Sequence, residues 1–154
     1  MYILFEGKSQ FDNSDIVVIA TNASKNKKIG TMWQTWILPR YTEPHQAVKN
    51  GEDSSVCGKC PLRPTSYKEN GLKRGCYVTV FQAPLSVYRA YHRGSYQHIT
   101  PDEFRAVLQG QALRLGSYGD PASVEFEYWQ SIGVGTGEFN HTGYTHGYLL
   151  DNFD

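Results

Sequence analysis

At 154 residues, with 40% apolar and 19% charged side chains, the chain has the length and balance of one globular domain that folds without disulfide staples. Fifteen Lys and Arg offset fifteen Asp and Glu, so no net field draws the protein to nucleic acid or to an anionic membrane. The N-terminal MYILFEGKSQ lacks a basic segment followed by a long apolar run, and no stretch reaches the roughly 18 apolar residues of a spanning helix. These features predict a soluble, cytoplasmic protein without a membrane partner.

In chain order, the β-branched string IVVIA at 16–20 predicts a buried strand, and the polar TNASKNKK that begins at Thr21 predicts a turn. A second strand is expected over 31–38, where Met32, Trp33, Trp36 and Ile37 do not alternate, as in a strand buried on both faces. Pro39 stops it. A short helix follows from Thr42, with Thr42 or Glu43 near the cap, Pro44 in the first turn and Gly51 at the end.

Residues 52–75 then show neither period, and a loop of that length needs something to order it. Strand character resumes at 75–80. A helix with Pro84 at its start covers 84–91 and closes at Gly94, and a second is marked by Thr100 as N-cap, Pro101 at the first helical position and Glu103 completing a capping box. A short strand at 112–115, a helix over 123–132 with Val124, Tyr128 and Ile132 aligned, and a strand end around Thr142 complete the chain. Short strands alternating with helices predict an α/β domain spanning 1–154, with mostly parallel pairing in an open sheet or partial barrel and a long cysteine-bearing loop.

Three cysteines in a reducing compartment point to a metal site before a disulfide. In Cys57-Gly-Lys-Cys60 a two-residue spacer turns both sulfurs the same way, and Pro61 stiffens the knuckle. Fifteen residues separate Cys60 from Cys76, which is expected to begin a strand. Three thiolates suit a four-iron cluster (4Fe-4S) with one iron open to a substrate or cofactor. Zinc is the alternative, with His45, His92, His98, His141 or His146 closing the set of four. The plainer reading makes Cys57 and Cys60 loop thiols and Cys76 a small buried hydrophobe, which leaves the long loop without a reason to be ordered.

Ligands of α/β sheets bind beyond the carboxyl ends of strands, which singles out Gly116, Ser117, Tyr118, Gly119 and Asp120. Asp120 could accept from an ammonium or a ribose hydroxyl, or it could cap the turn that Pro121 begins. Arg114 is either an inward charge or an edge residue. His146, beside Thr142, Tyr144 and Thr145, is a ligand or acid–base candidate as well as a plausible surface histidine. Tyr88, Arg89, Tyr91, His92, Arg93 and Tyr96 suit either stacking on nucleic-acid bases or an amphipathic helix with half-buried tyrosines.

Several strings together, MWQTWILPR from Met32, SVCGKCP from Ser55, GCYV from Gly75, LGSYGDP from Leu115 and GYTH from Gly143, resemble a family of phage-encoded proteins of unassigned function. The similarity runs over about residues 15–148. Longer members continue into further strands and a second cysteine-rich segment, so the resemblance implies a C-terminally truncated form acting in a host-cell cytoplasm. More remotely, three cysteines followed by a helix and a strand ending in a Gly-Asp loop resemble radical S-adenosylmethionine (SAM) enzymes, although the Cys-x3-Cys-x2-Cys spacing of that family is absent. This likeness implies SAM as a small-molecule cofactor at Gly116, Ser117, Gly119 and Asp120, beside a cluster on Cys57, Cys60 and Cys76. The alternative class is a non-enzymatic zinc-stabilised module that binds a host protein or, less in keeping with the balanced charge, nucleic acid.

Overall fold

The computed structural model describes residues 1–22, 32–64 and 75–147. Its first three strands are β1 (Tyr2–Lys8), β2 (Asp15–Thr21) and β3 (Trp33–Pro39), paired as an antiparallel meander. The IVVIA string lies within β2, where Ile16, Val17, Val18 and Ile19 are all fully buried between two neighbouring strands. In β3 all seven residues are buried, as the absence of alternation predicts. Its polar members are satisfied internally: Gln34 accepts from the Ser117 hydroxyl at 3.1 Å, and Thr35 Oγ1 accepts from the Gly116 amide at 2.9 Å. β1 is not predicted: the run Tyr2, Ile3, Leu4 and Phe5 holds a single β-branched residue, unlike IVVIA, and the N-terminal segment is weighed above only as a possible leader. The expected turn after β2 continues from residue 23 outside the described residues.

Helix α1 (Pro44–Asn50) follows β3, with Glu43 at its N-cap and Gly51 in the left-handed conformation at its C-cap, both as predicted. A single turn, α2 (Ser54–Cys57), rises within the segment expected to be loop. Helix α3 (Ala83–His92) leads to the two-residue strand β4 (Gln97–His98), and α4 (Pro101–Val107) follows with the expected capping box between Thr100 and Glu103. Next come β5 (Ala112–Tyr118), a 3-10 turn at Pro121–Ser123, α5 (Phe126–Ser131) and β6 (Asn140–Thr142). The predicted helix over 123–132 therefore starts late. Asp120 caps the 3-10 turn by accepting from the Ala122 amide at 2.9 Å, and the chain is extended again at Val124 before α5 begins.

The sheet order is β4-β1-β2-β3-β5-β6, open at both edges, which rules in the open sheet over the partial barrel. Pairing is mixed. β4 with β1, β5 with β3 and β6 with β5 are parallel, while the core β1-β2-β3 is antiparallel, which corrects the expectation of mostly parallel alternation. The reason is local: β1, β2 and β3 follow one another with no helix between them among the described residues, and an antiparallel meander requires none. These directions also leave β2 alone reversed, so the carboxyl ends of the other five strands lie along one edge of the sheet. That edge carries α2 and the loops after β5 and β6.

Residues 75–80 are not a strand. The Cys76 amide donates to the Leu62 carbonyl at 3.0 Å, and Tyr77 is 73% exposed, so this segment is tied to the cysteine knuckle and not to the sheet. Of the long loop, residues 65–74 lie outside the described residues. α1 and α3 pack on each other and on β3, while α4 meets α5 and sets Phe104 edge-on against Trp33, with ring centres 5.6 Å apart. Among the described residues no helix is long and apolar enough to cross a membrane.

Candidate functional site

The site is built on α2. Asp53, its N-cap residue, is 1% exposed and would be costly to ionise there without a partner. Arg63 supplies one through a bidentate fork, Nη2 to Oδ1 at 2.6 Å and Nε to Oδ2 at 3.1 Å. The same guanidinium donates to the carbonyls of Gly51 at 3.0 Å and Gly58 at 2.8 Å. Arg63 thus clasps the chain before and after α2 to one buried carboxylate. The Cys57-to-Cys60 knuckle lies inside this clasp and is closed by the Cys60 amide donating to the Cys57 carbonyl at 3.1 Å. Gly58 (φ +53°) makes the reversal in the left-handed region, where a Cβ would also stand 3.0 Å from the Phe11 ring.

Two further backbone bonds bring the distant parts together. The amide of Cys76 reaches Leu62, as above, and the amide of Asp120 donates to the Val56 carbonyl of α2 at 2.6 Å. As a result Cys57, Cys60 and Cys76 line one cavity of about 190 Å³, with Tyr118 from the end of β5 as a wall and Val48, Val78 and Val80 among its apolar lining. A more open chamber of about 390 Å³ shares the three cysteines and Tyr118 and extends to Gly116, Gly119, Asp120 and the loop after β6. The three regions singled out in the sequence, the cysteines, the 116–120 loop and the stretch around His146, therefore meet.

Their individual roles differ from a simple ligand cradle. Asp120 is 6% exposed and its two carboxylate oxygens accept from backbone amides, Oδ1 from Ala122 and Oδ2 from His146 at 2.6 Å. It fastens the β5 loop to the β6 loop, so the capping role weighed in the sequence is the one observed. Gly119 (φ +81°) is required by packing, since a Cβ there would meet the Ile37 carbonyl oxygen at 2.6 Å. Ser117 faces the opposite side of β5, bonded to Gln34. Of the five histidines, His146 lines the chamber that holds the cysteines. His45 pairs with Glu43, His92 bonds the Arg40 carbonyl, His98 lies near Glu6, and the His141 ring is set against Phe139.

The tyrosine-rich helix is likewise engaged internally: Tyr88 is buried, Arg89 pairs with Glu43, and the Tyr91 hydroxyl bonds Glu6 and Arg40. Arg114 donates at 2.8 Å to the hydroxyl of the exposed Tyr77, which lines the chamber. No family model, curated protein or solved structure matches the chain.

Electrostatically the site favours neutral thiols when no cation is present. Burial, then the negative charge of Asp53 and of the other two cysteines, pushes the Cys57 thiol well above its ordinary value, with Arg63 opposing. Burial also raises Cys60, against a backbone hydrogen bond from Leu62 that lowers it. Because the Cys57 pKa is higher folded than unfolded, metal-free protein keeps its full stability below the ordinary thiol value of 9.0 and loses stability as pH rises beyond it. Denaturant midpoints of metal-free protein are expected to fall between about pH 7 and about pH 10, and to fall less in Cys57→Ala. An equal fall in the two proteins would contradict the assignment.

Two groups missed by sequence reasoning organise the site. Asp53 and Arg63 carry no motif, since an ion pair across nine intervening residues has no period. Tyr118 was singled out with the 116–120 loop, and the structure places it as the last residue of β5. Among the described residues no three His, Cys, Asp or Glu side chains are grouped so as to hold a single metal ion.

Proposed function

We propose that the protein binds an iron–sulfur cluster, a four-iron cluster by preference, through Cys57, Cys60 and Cys76. The observation that supports this reading is that the two thiols of the Cys57-to-Cys60 knuckle and the distant Cys76 line one largely apolar cavity beside a buried phenol. Ligands of one zinc ion must converge to about 2.3 Å from a single point, whereas a cluster several atoms across is gripped from wider spacing, which fits thiols that share a cavity without forming a single-ion group. When bound, a cluster held by three thiolates supplies an iron with a coordination position left for a small molecule.

In this reading the chain's own part is to exclude water with Val48, Val78 and Val80, to fix the knuckle through the Arg63 clasp and to open the chamber bounded by Gly116, Gly119 and Asp120 toward the metal. A radical-SAM-like enzyme of phage origin is the catalytic form of the proposal, with SAM in that chamber. Because the Asp120 carboxylate is committed to backbone amides, such a ligand would meet the loop through its main chain and through His146 and Thr145. The second reading is a zinc-stabilised binding module with His146 as fourth ligand, which the placement of His146 on the same chamber favours.

Anaerobic purification followed by iron, sulfide and zinc analysis separates them. The proposal expects iron with matching sulfide and a broad band near ~400 nm. One zinc per colourless chain would replace it with the second reading. Reductive cleavage of SAM by the reduced, iron-loaded protein tests the catalytic form.

A further inference from the structure

The Tyr118 side chain ends inside the cavity that the three cysteines line, and its residue is 4% exposed. Its hydroxyl is buried and has no hydrogen-bond partner among the described residues. Buried hydroxyls are nearly always paired, and leaving one unpaired is destabilising. The polar groups around it do not fill the gap. Asp53 is taken up by the Arg63 fork, and the guanidinium of Arg63 is divided between that carboxylate and the carbonyls of Gly51 and Gly58. Among the described residues, the other side-chain groups with a labile proton or lone pair that line its cavity are the three thiols. A phenol carries its proton through the physiological range, so the hydroxyl enters the cavity as an O–H donor.

We infer that the Tyr118 hydroxyl donates a hydrogen bond to a sulfur atom, thiolate or bound sulfide, of the metal group held by Cys57, Cys60 and Cys76, and so acts as a positioning residue that sets the electron affinity of that group. The inference rests on the metal-binding reading and adds to it a residue that touches no part of a substrate. A donor aimed at a cluster sulfur stabilises the reduced, more negative state, and its removal lowers the reduction potential. The hydroxyl also changes sign in its effect on stability. In metal-free protein it is an unpaired buried group, and in loaded protein it is paired.

Tyr118→Phe tests both consequences, since the ring and its packing are kept. The variant should bind the same iron and sulfide as the parent, show a more negative midpoint potential, and gain less stability on loading than the parent does. Metal-free Tyr118→Phe should be at least as stable as the metal-free parent. An unchanged potential at unchanged iron content would overturn the inference, as would a metal-free variant markedly less stable than the parent, which would mean the hydroxyl is already paired within the fold or by water. Should the parent take up zinc in place of iron, the cluster reading fails while the inference is read by cobalt substitution: the sulfur-to-cobalt absorption shifts in Tyr118→Phe if the phenol bonds a thiolate and stays fixed if it does not. A parent that takes up neither metal overturns both.

Discussion

Alanine at Cys57, at Cys60 or at Cys76, each introduced alone, is expected to abolish the visible absorption and to weaken metal retention by more than about 100-fold, because loss of a supporting neighbour alone costs 10- to 100-fold. The three positions carry this weight for one physical reason: each thiol enters the same cavity, and no other thiol exists in the chain to replace it. Cys76→Ala is the most informative of the three. Cys76 is only half-buried and stands outside any strand or helix, so in metal-free protein its loss should scarcely change stability. In loaded protein the variant should forgo the stabilisation that a bound ligand confers, about 2.7 kcal/mol at a hundredfold excess over its dissociation constant. Thermal unfolding of both proteins with and without metal makes the comparison. A Cys76→Ala protein that keeps its iron would remove Cys76 from the site.

Arg63→Ala is expected to destabilise the folded chain by about 3–5 kcal/mol, the range for breaking one side of a buried ion pair. Asp53, at 1% exposure, would be left charged and without its partner, and the carbonyls of Gly51 and Gly58 would each lose a donor. The damage falls on the cysteine knuckle, because the clasp joins the ends of the turn that bears Cys57. Urea denaturation of metal-free protein measures it, and a loss below about 1 kcal/mol would show that the clasp is not what orders this segment. A double variant, Asp53→Asn with Arg63→Met, removes both charges and should cost less than Arg63→Ala alone, since the penalty lies mainly in the stranded carboxylate.

Much of the architecture was legible because its signals are local. IVVIA, the capping box at Thr100 and Glu103, and the Pro44 and Gly51 bounds of α1 each depend on a few adjacent residues, and each was read correctly. β1 escaped because its apolar run holds a single β-branched residue where IVVIA holds four, and the mixed pairing escaped because strand direction is fixed by connections that periodicity does not reveal. Residues 75–80 look like a strand by composition, yet the Cys76 amide is committed to Leu62, a tertiary bond that overrides local preference. In the site, spacing identified the Cys57 and Cys60 knuckle, and the carboxyl-end rule brought the 116–120 loop beside it. The rule could not say which side chains face the cavity. Alternation along β5 decides that, turning Tyr118 toward the cysteines and Ser117 toward Gln34. Asp120, attractive in sequence as a ligand acceptor, is spent on the amides of Ala122 and His146.

Iron-edge X-ray absorption on the anaerobically purified protein tests the central claim most directly, because it reports the atoms around the metal. A first shell of sulfur with a neighbouring iron atom, both lost in Cys57→Ala, is the result this account predicts. Iron surrounded by oxygen and nitrogen with no second iron, or a spectrum indifferent to the loss of Cys57, would contradict it.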